Sequence, residues 1–169
     1  MDAGLKQVTI YTDGACSGNP GKGGYGAVLM FGPHRRELSG GFRRTTNNRM
    51  EIMAAIAALE ALKYRCAVTL HTDSKYLVDA IAKGWAKKWR NNGWRRNPKE
   101  WAKNPDLWAQ LLDLCDRHQV QFVWVKGHAG VEENERCDRL AVAASREENL
   151  PPDPGYENPP EPQEMKSEK

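Results

Sequence analysis

The chain has 169 residues, of which 40% are hydrophobic and 28% are charged, a composition typical of one folded domain and not of a disordered or fibrous chain. No apolar run approaches the roughly 18 residues of a membrane span, so we expect no membrane contact. The amino-terminus lacks a basic start followed by an apolar stretch, which predicts a cytoplasmic location. The four cysteines form no Cys-x-x-Cys pair, which argues against a zinc site and fits a reducing compartment.

The net charge of +3 is divided between two parts of opposite sign. Residues 1–146 carry a net charge of +8, whereas residues 147–169 carry a net charge of −5. The basic part favours a polyanionic partner, with nucleic acid first among the possibilities. The acidic part is rich in proline and poor in large apolar residues, so burial cannot offset its ordering entropy. We therefore expect one folded domain over residues 1–146 and a disordered tail over residues 147–169.

The elements are predicted from hydrophobic periodicity and turn residues. Alternating, glycine-punctuated segments predict three strands at residues 8–13, 24–31 and 36–43, joined as hairpins. Then come a helix at 50–64, a strand at 67–72, a helix at 74–89, a helix at 107–118, a strand at 120–125 and a helix at 132–145. This order predicts an α/β fold with a five-stranded mixed sheet, in which three strands are antiparallel, the later strands are parallel and helices cover both faces.

Carboxylates occur where such a sheet binds ligands, beyond the carboxyl ends of its parallel strands. Asp13 ends the first strand and Asp73 follows the fourth, while Glu51 and Asp138 lie on helices that could pack over the same edge. Crowded carboxylates need cations to screen their charge. Two hard, oxygen-liganded ions, Mg²⁺ or Mn²⁺, would suit such a cluster and would support in-line displacement at phosphorus.

Each carboxylate alone also fits a purely structural interpretation. Asp13 precedes a glycine as turn residues do, Asp73-Ser74 could cap the following helix, and Asn48-x-x-Glu51 fits a capping pattern. Asp138 could be a solvated helix position. The individual residues leave both interpretations open.

The segments around these carboxylates carry more information. They read YTDGACSGNPG (11–21), TTNNRME (45–51), HTDS (71–74) and KGHAG followed by NERCD (126–138). In order and spacing they resemble the signature segments of ribonuclease HI, the type 1 ribonuclease H that cuts RNA paired to DNA, over roughly residues 6–146. The resemblance implies the ribonuclease H-like fold and an endonuclease that hydrolyses the RNA strand of RNA/DNA hybrids, leaving 5′-phosphate and 3′-hydroxyl ends.

The resemblance also implies roles for single residues. Four carboxylates match the family's metal ligands for two Mg²⁺ ions, with Mn²⁺ as a possible substitute: Asp13, Glu51, Asp73 and Asp138. His128 matches the flexible-loop histidine that assists proton transfer or product release. Five positions match contacts to the hybrid: Cys16, Asn19, Thr46, Asn47 and Asn48. Lys75 stands where many relatives carry a substrate-contacting glutamine, and we expect it to contact a phosphate instead.

A basic arm at residues 83–103 holds eight Lys and Arg, one Glu and four of the six tryptophans. It matches in place the basic protrusion of bacterial ribonuclease HI, which makes Lys87, Lys88, Arg95 and Arg96 candidates for phosphate contact. Alternatively, Trp85, Trp89 and Trp101 brace a helical hairpin whose charges are only solvated. We expect most tryptophans to be core and most charges to be substrate surface.

Two other functions fit some of these features. A DNA-cutting transposase or resolvase also clusters acids at strand ends, but the segments at 45–51 and 126–130 favour ribonuclease HI. A non-catalytic hybrid-binding module would have lost a metal ligand, and all four acids are present. The sequence therefore predicts an enzyme whose partner is an RNA/DNA hybrid. We also expect the protein to be a monomer.

Overall fold

The computed structural model describes residues 4–127 and 130–159. The strands are β1 (Lys6–Ser17), β2 (Gly21–Phe31), β3 (His34–Thr45), β4 (Cys66–Thr72), β5 (Arg95–Asn97), β6 (Glu100–Trp101) and β7 (Gln119–Trp124). The helices are α1 (Asn47–Glu60), α2 (Lys75–Ala82), α3 (Trp85–Asn91), α4 (Pro105–Arg117), α5 (Glu132–Ser145) and α6 (Pro154–Glu157). Among these helices, none combines the length and the apolarity needed to cross a bilayer.

The main sheet has five strands in the order β3-β2-β1-β4-β7. The pairs β1–β2 and β2–β3 are antiparallel, whereas β1–β4 and β4–β7 are parallel. The predicted mixed sheet is thus confirmed. β1 is longer than predicted: its pairing with β4 stops at Thr12, but its pairing with β2 continues to Ser17.

Helices cover both faces of this sheet, and closely spaced glycines on β2 show how. A Cβ atom on Gly24 or Gly26 would lie within 2.5 Å of the backbone of α5, whereas a Cβ on Gly23 would meet Met50 of α1. Because successive strand residues point to opposite faces, α1 and α5 lie on opposite sides of β2. The hydrophobic core is on the α1 side, where α1 and α4 pack against the sheet.

The basic arm differs from the helical hairpin that was its alternative interpretation and from the single helix predicted at 74–89. The predicted helix at 74–89 is divided into α2 and α3 at Gly84, whose φ of 76° is outside the helical range. After α3 the chain forms a two-stranded antiparallel hairpin, β5–β6. Trp94 is buried in this arm, but Trp85 and Trp101 are 39% and 40% exposed. The expectation that most tryptophans of the arm are core thus agrees with Trp94 and with Trp89, which packs against the core, but not with Trp85 and Trp101.

Disorder was predicted from residue 147 onward, and this does not hold for residues 147–159. We call residues 150–157 the C-terminal strap, because they run across β3 and α1. The Arg43 N–H donates to Pro151 O at 2.9 Å, and buried Asp153 pairs with buried Arg49 at 2.7 Å. Hydrogen bonds and an ion pair replace the apolar burial that the composition lacks, which is why composition alone predicted disorder. Residues 160–169 lie outside the described residues.

Candidate active site

Three of the predicted carboxylates converge at the edge of the sheet. The pairing of Thr12 with Thr72 is the last between β1 and β4; Asp13 is the next residue of β1, and Asp73 directly follows the end of β4. Glu51 reaches the same point from the first half of α1. One carboxylate oxygen from each of Asp13, Glu51 and Asp73 lies within 4.8 Å of the other two.

The close contact between β1 and α1 depends on Gly14. A Cβ atom at this position would lie 2.6 Å from the backbone nitrogen of Glu51, so a larger residue would push α1 away. The Gly14 N–H donates to Asp13 Oδ1 at 2.9 Å and also to Glu51 Oε1. One backbone group therefore orients two of the three carboxylates.

Burial and the crowding of the three carboxylates raise the pKa values of two of them. Burial, followed by the charge of Asp73, raises the pKa of Asp13 to about 7. Burial, followed by the charge of Asp13, raises the pKa of Glu51 well above its usual value. A group of buried carboxylates that resists ionisation fits a hard divalent cation, which prefers oxygen ligands and would favour the ionised form.

The structural interpretations fail for Asp13 and Glu51, and in the pair Asp73-Ser74 it is Ser74 that caps the helix. Asp13 lies inside β1 and not in a turn. Ser74 caps α2 by accepting from the Leu77 N–H, and Thr46 caps α1 by accepting from the Arg49 N–H. The Glu51 carboxylate points to Gly14 and takes no part in the cap.

The remaining two predicted catalytic residues are placed less completely. Asp138 lies half-buried on α5, and its charge contributes to the raised pKa of Asp13, but it is not part of the tight three-carboxylate group. His128 lies outside the described residues. Gly127, just before it, has its backbone against Asp73, since a Cβ there would be 2.8 Å from Asp73 Oδ2.

The predicted hybrid contacts gather around the start of α1. The Asn47 N–H donates to Asn19 Oδ1 at 3.1 Å, and the exposed Asn48 follows. The Cys16 thiol donates to the carbonyls of Gly21 and Thr45, which ties the ends of β1, β2 and β3 together. A groove of about 550 Å³ begins here, and its lining includes Asn19, Thr46, Asn48, Lys103 and Tyr156.

A second groove of about 550 Å³ continues toward the basic arm. Its lining includes Asn48, Trp85, Lys88, Arg96 and Lys103, so the two grooves share Asn48 and Lys103. Lys103 was not singled out from the sequence, although it is the last basic residue of the arm. Trp85 was interpreted as core, and the preceding Gly84 was the signal that the helix breaks and exposes it.

The other predicted cations are exposed but differ in their surroundings. The Arg95 guanidinium lies 3.9 Å from the centre of the Trp101 ring. Arg96 donates to Glu100 at 2.6 Å. Lys87 and Lys75 are exposed and line neither groove.

Comparison with known proteins agrees with this geometry. The sequence model of the family described as RNase H matches residues 5–146. The chain is 72% identical over 158 residues to "Ribonuclease H" of Rippkaea orientalis, covering 94% of this chain and 97% of that protein. It is 65% identical over 138 residues to "Ribonuclease HI" of a Synechocystis species, covering 81% and 86%.

Solved structures give the same result. The crystal structure of LC9-RNase H1, a type 1 RNase H, superposes with a TM-score of 0.77 at 33% identity, covering 86% of this chain and 74% of that one. LC11-RNase H1, solved in complex with an RNA/DNA hybrid, has a TM-score of 0.63 at 26% identity, covering 81% and 95%. Because its sheet and its sequence both agree with these proteins, the chain belongs to the RNase H family and is of the bacterial type 1 kind.

Proposed function

We propose that this protein is an endonuclease that hydrolyses the RNA strand of RNA/DNA hybrids and leaves 5′-phosphate and 3′-hydroxyl ends. The observation that carries the proposal is the group of three carboxylates within 4.8 Å of one another, beside grooves lined by asparagines and basic residues. LC11-RNase H1, which shares the fold, was solved with such a hybrid.

The proposed cofactor is a pair of Mg²⁺ ions, with Mn²⁺ as a possible substitute. Asp13, Glu51, Asp73 and Asp138 would hold them, and the donor set of carboxylate oxygens suits hard cations. Two such ions would activate the attacking water and stabilise the leaving 3′ oxygen of an in-line displacement.

The protein's own groups prepare the reaction. The Gly14 N–H orients the carboxylates of Asp13 and Glu51, and because burial raises the pKa of both, a bound cation would favour their ionised forms. We assign proton transfer or product release to His128. The short polar side chains of Cys16, Asn19, Asn47 and Asn48 suit contact with 2′-hydroxyls, the feature that separates RNA from DNA.

Binding is assigned to the basic residues. Lys88 and Arg96 line the groove that continues from Asn48, so a backbone held there would meet two cations. Lys75, Lys87 and Arg95 would contact phosphates from outside that groove, and Thr46 would contact one at the start of α1. We further propose that the protein acts as a cytoplasmic monomer, in line with its four free cysteines.

A strand-resolved cleavage assay tests this function. An RNA/DNA hybrid with a different label on each strand is incubated with and without Mg²⁺, alongside RNA/RNA and DNA/DNA duplexes of the same sequence. We expect cutting of the RNA strand of the hybrid alone, and only with the metal ion. Cutting of the DNA strand, or metal-independent cutting that an Asp13→Asn variant retains, would contradict the proposal.

A further inference from the structure

Arg49 is a buried cation held between two carboxylates from distant parts of the chain. Its guanidinium donates to Asp106 through Nη1 at 2.9 Å and Nη2 at 2.7 Å, and to Asp153 through Nε at 2.7 Å and Nη2 at 3.0 Å. Only 2% of Arg49 and 4% of Asp153 is exposed to solvent. Burial alone would lower the pKa of Arg49, but these hydrogen bonds outweigh burial and hold it above its usual value.

This cluster connects four elements at one point. Arg49 belongs to α1, Asp106 to the first turn of α4, and Asp153 to the C-terminal strap. Asp153 also accepts from the Thr45 hydroxyl, at the end of β3, at 2.6 Å. The strap is packed tightly here, since a Cβ on Gly155 would overlap the side chains of both Asp106 and Arg49.

The residues next to Arg49 are the proposed hybrid contacts. Thr46, Asn47 and Asn48 directly precede it, and the Arg49 N–H donates to the Thr46 side chain at 3.2 Å. The strap also forms part of the groove itself, because Gly155 and Tyr156 line it together with Asn19 and Asn48. The position of the start of α1, where the proposed hybrid contacts lie, is therefore coupled to the strap through the buried Arg49 guanidinium.

We propose that Asp153 is a positioning residue for hybrid binding. Through Arg49 it fixes the start of α1, at residues 46–48, in the orientation that the substrate requires. This inference rests on the proposed function, because it assumes that the start of α1 contacts the hybrid. Asp153 itself does not touch the carboxylate group that carries the chemistry. Its loss should weaken substrate binding and leave the chemical step largely intact.

The test is steady-state hydrolysis of a labelled hybrid by Asp153→Ala at saturating Mg²⁺, at a temperature well below the melting temperature of every variant. We expect KM to rise about tenfold while kcat stays within about twofold, the pattern of lost binding that is common to ground and transition states. Asp153→Asn keeps an acceptor for Thr45 but loses the charge, so its KM should lie between those of wild type and Asp153→Ala.

Two controls separate positioning from general stability. Glu37→Gln removes another carboxylate that accepts from two arginines, but on the exposed surface between β3 and α5. Val68→Ala lowers the melting temperature by opening a cavity in the core. Both should keep KM within about twofold of wild type.

The outcomes separate this inference from the proposed function. An Asp153→Ala KM equal to that of wild type overturns the positioning role, and so does an equal rise in KM for Val68→Ala. If Asp153→Ala fails to fold, the KM of Asp153→Asn decides in the same way. A wild-type protein that does not cut the hybrid overturns the proposed function instead.

Discussion

Asp13 and Glu51 share a single backbone donor, and this arrangement forces two acids into one buried place. Burial is the main cause of both raised pKa values; the charge of Asp73 raises the pKa of Asp13 further, and the charges of Asp13 and Asp73 raise that of Glu51. Buried carboxylates that repel one another lower the stability of the metal-free protein, and a bound cation would relieve that repulsion. Substitutions in this site should therefore separate activity from stability.

Replacing Asp73 with asparagine is the most direct separation. Asp73→Asn removes a charge that raises the pKa of both neighbours, so the metal-free protein should be at least as stable as wild type. Hydrolysis should be lost, because an amide is a poor ligand for a hard cation. Activity, hybrid binding and metal-free melting temperature are measured together. Hydrolysis near the wild-type rate would contradict the assignment of Asp73 as a metal ligand.

The same cluster predicts how stability depends on pH. The pKa of Asp13 is about 7 in the folded protein, compared with its ordinary value of 3.8. A raised folded-state pKa gives stability that is present below pH 4 and is lost as the pH rises through 7, because the unfolded chain releases this proton more readily. Thermal melting in a chelating buffer should show this contribution, and it should be smaller in Asp13→Asn. A pH dependence identical in wild type and Asp13→Asn would contradict it.

His128 should contribute less than the carboxylates. Water can partly replace a proton-transferring side chain, whereas it cannot replace a metal ligand. His128→Ala should therefore lower kcat by about 10² to 10⁴-fold without abolishing turnover. Complete loss of activity, to the level of Asp73→Asn, would instead indicate a role in assembling the site.

At the scale of elements, the arm extends the surface around α1. Lys88 and Arg96 share a groove with Asn48, so they should add binding strength without touching the reacting phosphate. The double variant Lys88→Ala with Arg96→Ala should raise KM and flatten its dependence on salt, with kcat little changed. The matched control replaces two exposed cations at the opposite end of the sheet, Arg36 and Lys63. An equal effect of both double variants would mean that net charge alone governs binding.

The C-terminal strap should contribute to the stability of the fold. Ending the chain after Arg146 removes Asp153 and leaves buried Arg49 with Asp106 as its remaining carboxylate partner among the described residues. Removing one member of a buried ionic group typically costs about 3 to 5 kcal/mol, and we expect a loss toward the lower value because Asp106 remains. Ending the chain after Pro159 should leave stability unchanged. Equilibrium unfolding in urea distinguishes the two truncations.

For the whole molecule, periodicity and motif order were enough to predict the five-stranded sheet and the carboxylates at the carboxyl ends of its parallel strands. The segments at 8–13 and 67–72 alternate polar and apolar residues, with Asp13 at the end of the first and Asp73 after the second, so the two acids could be predicted to lie beside each other. The strap could not be predicted, because its order comes from an ion pair between residues 104 positions apart. The split of the arm at Gly84 was missed because the apolar spacing on either side continues to resemble one helix.

The assembly of the site from distant segments has a consequence for folding kinetics. Asp13 comes from β1, Glu51 from α1 and Asp73 from the residue after β4, and β1 must find β4 across an intervening hairpin and helix. Contacts this far apart in sequence are slow to form. A refolding chain should thus regain helical circular dichroism before it regains hydrolysis, and catalytic recovery should report the slowest docking step. The return of hydrolysis should therefore mark one of the last steps of folding in this protein.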